Sequence, residues 1–218
     1  VEEAVEDLYM KPEVQLPHHF QDDWKLASPE IKKYIKERKF NDLVLKHFGI
    51  GYCNDGWWED RIIIPFVYWD KIVGFTARTI WGEEKYFEKF PDHEYYAKYK
   101  HKASTPIEEI IYGLDSGYKA EDPIFVEGSF DCIRMRSFGL NCYSTLSNNV
   151  SDKQAELIKK YFTGTIYVMH DNDKGGIQMV DKFKELLYHS YPIRICKLPK
   201  SVKDPDGMNK KEALISKA

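Results

Sequence analysis

Three stretches decide the fold: PIFVEGSFDCI at residues 123–133, TIYVMHDNDKGG at 165–176 and IRICKLPKSVKDPDG at 193–207. Each opens as a short apolar, β-rich run and closes on acids beside glycine, so each reads as a strand running into a turn. The intervening sequence supplies the helices. A helix is predicted over Ser129–Phe138, a strand over Asn141–Thr145, and a second helix in SDKQAELIKKYF (151–162), where Ser151 and Gln154 fit a capping box. Strand Thr165–His170 follows, then helix Ile177–His189 opened by Gly175 and Gly176, strand Ile193–Leu198, and a terminal helix from Met208. Strands that alternate with helices in this way predict a parallel sheet with crossover helices.

Upstream the pattern differs. Residues 1–48 read as polar loop and helix, and in SPEIKKYIKERKF (28–40) Ser28 is an N-cap, Pro29 takes the first helical position, and Ile31, Tyr34 and Ile35 share one face. RIIIPFVYWDKIVGFTAR (61–78) predicts a hairpin of Arg61–Val67 and Ile72–Arg78 turning around Asp70 and Lys71. From Trp81 to Lys102 aromatics and charges crowd together, with Lys98, Lys100 and Lys102 beside Tyr95, Tyr96 and Tyr99, and no element is assigned. The fold class is therefore an α+β N-terminal subdomain followed by an α/β domain. The boundary is expected near 115–122, giving domains 1–120 and 121–207, with 208–218 a C-terminal helix or linker.

Composition sets the outer limits. The 218 residues carry 32 Lys+Arg and 35 Asp+Glu, a net charge of −3, with 43% apolar and 15% aromatic residues. That excludes a disordered chain. No apolar run reaches the roughly 20 residues of a membrane helix, and VEEAVEDLYMKPEV lacks the regions of a signal peptide. Cys53, Cys132, Cys142 and Cys196 form no C-x-x-C pair, which argues against zinc and disulfides and for reduced thiols in a cytoplasmic setting, without membrane association. Residues 1–120 hold 17 basic and 22 acidic side chains, so a nucleic-acid reading cannot rest on bulk charge.

The acids at the strand ends carry the chemistry. Glu127 and Asp131 flank the first strand-to-helix turn, Asp171 and Asp173 follow another strand, and Asp204 and Asp206 follow the last. In a parallel sheet these positions share the carboxyl edge, where open α/β sheets place their sites. Acids converging there repel unless divalent cations compensate, and Mg²⁺ favours carboxylate oxygen while keeping waters or phosphates as its other ligands. Taken singly, D-x-D and DPDG are also ordinary acidic turns, and the alternative role of the glycines is close helix-to-strand packing alone. Their order on successive strands is the more specific signal.

VEGSFDCI (126–133), VMHDNDKGG (168–176) and KDPDG (203–207) together resemble the Toprim domain of bacterial-type primases, topoisomerases and some nucleases. DRIIIPFVYWDKIVGFTARTI (60–80), Lys85-Tyr86, YGL (112–114), YIKERKF and FGIGY (48–52) are similar to the segment that precedes Toprim in primases. From about residue 25 to 207 the chain thus resembles the RNA polymerase domain of a DnaG-like primase, in a compact form closer to phage primases or primase-helicases. Phe87 stands where the family has Asn, residues 87–103 do not align, and Gly175 replaces an Ala. The family's zinc ribbon and helicase region are absent from these residues, and without an initiator Met the chain is expected to be an excised core or processed fragment.

The resemblance implies that Glu127, Asp171 and Asp173 are catalytic and hold two or three Mg²⁺ or Mn²⁺ ions, with Asp131, Asp204 and Asp206 as further ligands and no zinc. Glu127 is alternatively a general base. The implied reaction is nucleotidyl transfer from NTPs on a single-stranded DNA template, with a zinc-ribbon domain and a replicative helicase, fused or separate, as partners. Arg61, Arg78, Lys85, Arg38 and Lys174 are the implied nucleic-acid or nucleotide contacts, and Tyr86, Tyr95, Tyr96 and Tyr99 are either stacking platforms or core. His170 reads as held by a backbone carbonyl. Two rivals remain: a Toprim nuclease or topoisomerase fragment that cleaves phosphodiesters, and a non-catalytic single-stranded-DNA-binding module.

Overall fold

The structure, a computed structural model, describes residues 12–40, 42–114 and 120–217. Residues 1–11 of the stretch read as polar loop, and most of the expected boundary at 115–122, lie outside the described residues. Two compact units are present, one of Pro12–Phe66 with Ile72–Thr105, the other of Val67–Lys71 with the described residues from Pro106 onward. Pro106–Leu114 thus packs with the second unit, ahead of the composition change.

In the first unit, α1 (Pro29–Glu37) starts where Ser28 Oγ accepts from the Ile31 amide at 3.2 Å, and it buries Ile31 and Ile35. Helix α2 (Asp42–His47) and strand β1 (Gly51–Cys53) follow. The chain then forms β2 (Arg61–Tyr68), β3 (Lys71–Thr79), α3 (Glu83–Lys89) and β4 (Tyr99–His101), with the sheet in the order β1-β2-β3-β4. Trp69 and Asp70 connect β2 to β3 with φ of 47° and 62°. A two-residue turn with both φ positive is the type I′ geometry that matches strand twist, and it lies one residue before the expected Asp70–Lys71. Cys53, Ile63, Phe75 and Ala77 form the core of this sheet.

Helix α3 and strand β4 occupy the stretch to which sequence assigned nothing. Tyr86 of α3 is fully buried among Phe87, Phe90, His93 and Tyr96, whose ring centroids lie 5.1–5.7 Å from its own. The far end of α3 is tied by Lys89 to Asp60, a 4% exposed carboxylate that also accepts from Trp81 Nε1 at 2.8 Å.

In the second unit, β5 (Ala120–Glu121), β6 (Ile124–Val126), α4 (Ser129–Ser137), β7 (Cys142–Ser144), α5 (Asp152–Tyr161), β8 (Phe162–Thr163), β9 (Ile166–Val168), α6 (Lys174–Leu187), β10 (Ile193–Ile195) and α7 (Lys210–Lys217) succeed one another. The sheet is parallel in the order β10-β9-β6-β7, and β5 pairs with β8 in a separate parallel ribbon. Phe125 of β6 is the centre of its core, with Phe162 and Phe183 at centroid distances of 5.2 and 5.1 Å. The α/β expectation holds here, as the antiparallel one does for the first unit. Helix α6 begins at Lys174, earlier than the predicted Ile177, because Asp173 caps it through Gly176 N–H at 3.1 Å. All four cysteines are buried and unpaired by disulfide, and no described helix is long and apolar enough to cross a membrane.

The capping box on α5 has a second use. Gln154, 1% exposed, accepts from Ser151 N at 3.1 Å, and its Nε2 donates to the carbonyls of Ile107, Ile110 and Thr145 at 3.1, 2.8 and 2.9 Å. One amide thus fastens the 107–110 segment to the end of β7. Gln154→Leu leaves buried carbonyls unmatched at about 1–3 kcal/mol each, so urea unfolding is expected to show a loss of about 2–4 kcal/mol, and a loss below about 1 kcal/mol overturns this assignment.

Candidate functional site

The carboxyl edge of the parallel sheet collects the acids. Glu127, directly after β6, accepts from Asp171 N–H at 3.3 Å, so the ends of two neighbouring strands are joined through its carboxylate. Asp131 lies in the first turn of α4, 8% exposed, and its Oδ1 accepts from Asp206 N–H at 2.9 Å. Gly128 makes this possible, since a side chain there would meet the Asp131 carboxylate. Asp204 caps the 3₁₀ turn Pro205–Gly207 through Gly207 N–H at 3.1 Å. A Cβ on Gly176 would collide with the Asp171 carbonyl oxygen, so glycine there lets α6 begin against the strand end. His170 Nδ1 lies 2.7 Å from that same carbonyl and, since a carbonyl only accepts, carries the proton.

Electrostatics join these acids into one network. Burial, then the charges of Glu127, Asp204 and Asp173, raises the Asp171 carboxyl to about 7, while Lys203 opposes the shift. Glu127 is raised by burial, with the Asp171 amide working against the shift and Asp173 adding to it. Asp131 is raised well above the usual carboxylate range by burial and by Asp171, Asp206 and Asp204. Asp171 Oδ1 is buried and has no hydrogen-bond partner among the described residues. A buried carboxylate oxygen without a donor, amid like charges, is what a hard cation would relieve. Among the described residues no group of three or more His, Cys, Asp or Glu side chains is arranged to hold a metal ion. Mg²⁺ needs only one or two carboxylates and keeps waters and phosphates as its other ligands, and these acids taken one or two at a time fit such an ion.

The basic residues named from sequence fall in two groups. Lys174, at the exposed start of α6, lies beside the acids in sequence and structure. Arg61, Arg78, Lys85 and Arg38 belong to the first unit. Arg61 is 2% exposed and donates to Ala77 O at 3.2 Å and Tyr86 Oη at 3.3 Å, so it organises the interior around Tyr86 instead of standing at a surface. Arg78 bonds Tyr99 Oη and lies over that ring, and Arg38 lies over the Tyr34 ring at 5.2 Å. Lys85 is exposed, 4.5 Å from the Trp81 ring centroid, and Lys100 sits 4.4 Å from that of Trp57. Tyr86 is core, Tyr96 donates to Trp81 O at 2.9 Å, and Tyr95 is 71% exposed.

Two residues at the edge went unread in the sequence. Asn172 looks like a spacer between two aspartates, yet its backbone N–H donates to Lys203 O at 2.8 Å and its Nδ2 to Val202 O at 2.7 Å and Pro199 O at 3.3 Å. Lys203 gave no signal beyond its place before DPDG.

Comparison with known proteins gives the same picture. The Toprim-like family matches residues 124–208. A DNA primase of Clostridium acetobutylicum is 25% identical over 87% of this chain and 37% of its own length, so the chain spans little more than a third of that relative. Among solved structures, the Aquifex aeolicus primase with its zinc-binding and RNA polymerase domains aligns at a TM-score of 0.70 and 20% identity, over 98% of this chain and 59% of that one. The DnaG primase catalytic domain bound to single-stranded DNA aligns at 0.68 and 16%, over 97% and 75%. The chain has the fold of these catalytic cores.

The raised Asp171 sets a pH dependence. The folded chain keeps this proton to about pH 7 and the unfolded chain releases it near 3.8, so folded protein binds more protons between these values and loses stability as pH rises through them. Asp171→Asn removes the charge and keeps the shape. In EDTA, the variant's melting temperature is expected to exceed the wild type's by a margin that widens from pH 4 to pH 7, reaches roughly 5 °C and is flat above. A margin independent of pH overturns the assignment of this proton to Asp171.

Proposed function

On a Toprim-like domain within the fold of a DnaG-type primase core, we propose that this chain is a primer-synthesising catalytic core. It joins NTPs into short RNA on a single-stranded DNA template with Mg²⁺ or Mn²⁺. The observation that carries the reading is the buried, donor-less Asp171 Oδ1 among five other carboxylates at the carboxyl edge. Residues 121–207 then carry the chemistry, 1–120 the template, and 208–218 the trailing helix.

Glu127, Asp171 and Asp173 would hold the ions, with Asp131, Asp204 and Asp206 around them. When bound, two such ions activate a 3′-hydroxyl and stabilise a departing pyrophosphate. The chain's own residues do the rest. Glu127 is oriented by the Asp171 amide, so the ends of β6 and β9 hold their carboxylates in fixed relation. Asp131 is held by Asp206 N–H and keeps the DPDG turn against α4. Asp171, titrating near 7, gives up its proton when the site is loaded, so loading is favoured as pH rises to that value.

Lys85, Lys100 and the exposed Tyr95 are assigned to the template, because a cation lodged on an indole and an open phenol ring accept phosphate and base without sequence preference. Arg61 supports them from inside through Tyr86. A zinc-ribbon domain and a replicative helicase are the expected partners, and the setting is the cytoplasm.

The test is synthesis of oligoribonucleotides from labelled NTPs on single-stranded DNA, with each metal and with and without a supplied primer. Asp171→Asn is expected to lower the rate at least about 100-fold, since even outer partners of a metal site cost 10–100-fold. Product equal to that of Asp171→Asn in every condition overturns the reading. Metal-dependent nicking of DNA without NTPs would move the assignment to a Toprim nuclease.

A further inference from the structure

The acids of the carboxyl edge are anchored, but an edge of six carboxylates is a poor receptor for a triphosphate. Even two divalent ions leave it short of positive charge for a substrate that is itself strongly anionic. A cation belonging to the protein is needed close to Asp171, and the field of Lys203 reaches that carboxylate.

Lys203 is placed there by a built support. Asn172, between the two aspartates, holds the Pro199–Lys203 loop at three carbonyls: Lys203 O through its N–H, and Val202 O and Pro199 O through Nδ2. The loop closes on itself through Val202 N–H to Pro199 O at 2.9 Å, and the next residue, Asp204, caps the following turn. The backbone on both sides of Lys203 is therefore fixed to the acid-bearing segments. Its side chain is exposed and enters no ion pair among the described residues, unlike Lys89, Lys153 and Lys182, which pair with Asp60, Glu109 and Glu185.

We propose that Lys203 is a phosphate contact at this edge, distinct from Lys174 at the start of α6, taking the polyphosphate of the nucleotide or its pyrophosphate product, and that Asn172 is the positioning residue that presents it. This rests on the reading of the edge as a nucleotidyl-transfer site. It assigns the middle residue of D-N-D a task separate from that of its neighbours: they hold the cation, and it holds the loop that meets the anion. A lysine with its backbone fixed loses less freedom on contacting phosphate than one on a free loop, so the contact is stronger per charge.

Calorimetric titration of the chain with Mn²⁺ alone, Mn²⁺–pyrophosphate and Mn²⁺–ATP separates the possibilities without requiring turnover. For Lys203→Ala, pyrophosphate and ATP are expected to bind roughly tenfold more weakly, while Mn²⁺ alone binds as well as before or more tightly, because a like charge has been removed. Lys203→Arg restores most of the loss. Asn172→Ala shows a smaller loss of the same kind, and the double variant is no weaker than Lys203→Ala, as expected of residues acting through one contact. Unchanged anion affinity in Lys203→Ala, equal weakening of metal and anion, or additive losses in the double variant each overturn the proposal. If Lys203 governs pyrophosphate binding and no primer is made, the primase reading fails and this one stands. If primers are made and Lys203 is indifferent to both anions, the reverse holds.

Discussion

Asp131 is an acid buried at 8% exposure in the field of Asp171, Asp204 and Asp206, and the carboxyl edge of the second unit is arranged around keeping it there. Its one hydrogen bond in this network comes from the backbone of Asp206, 75 residues on. The same device recurs along the edge: Glu127 takes Asp171 N–H, Asp173 takes Gly176 N–H, and Asp204 takes Gly207 N–H. Backbone amides, which carry no net charge and cannot swing away, hold acids that would otherwise repel each other. Hydrogen bonds to charged groups contribute about 1.5–3 kcal/mol each, enough to fix these four acids in place, while burial and mutual repulsion still raise Glu127, Asp131 and Asp171 above the usual carboxylate range. A cation at this edge would relieve that repulsion.

That arrangement explains which parts were legible in the sequence. Strand ends, glycines and acids between 123 and 207 could be read because each acid sits in a local pattern: an N-cap spacing for Asp173, a Pro-Asp-Gly turn for Asp204, a strand end and glycine beside Glu127 and Asp131. The partners that arrive from far along the chain, such as the Asp206 amide on Asp131, left no such sign. Asn172 reaches across to 199–203, Gln154 to 107–110, and neither contact has a spacing that announces it. Helix α3 was missed for a related reason. Tyr86 packs in an aromatic cluster with Phe87, Phe90, His93 and Tyr96, so its burial comes from ring contacts within 81–96 and not from a 3.6-residue apolar stripe.

Arg61 shows the limit on charge as a guide. A guanidinium at the start of a strand reads as surface, but here Ala77 O, Tyr86 Oη and the Tyr86 ring at 5.8 Å replace its water. Burial still lowers its affinity for the proton, though from a value so high that it stays charged. The positive charge thus lies beneath Tyr86, whose hydroxyl is also 2.7 Å from His93 Nδ1. One phenol oxygen in this way joins a buried arginine to a half-buried histidine.

Aromatic faces hold several cations of the first unit. Lys85 rests on Trp81, Lys100 on Trp57, Arg78 on Tyr99 and Arg38 on Tyr34, and Lys85 and Lys100 enter no ion pair among the described residues, whereas Lys33 pairs with Glu37 and Lys89 with Glu59 and Asp60. An ion pair must be broken before a phosphate can take its place, whereas a cation on a ring keeps its outer side open and loses little on binding. A unit with such cations needs no large net positive charge to meet a polyanion. The sum of −3 over the whole chain is then no argument against nucleic acid, because it averages over local charge: six of the acids are gathered at one sheet edge in the other unit, where their charge has a separate use.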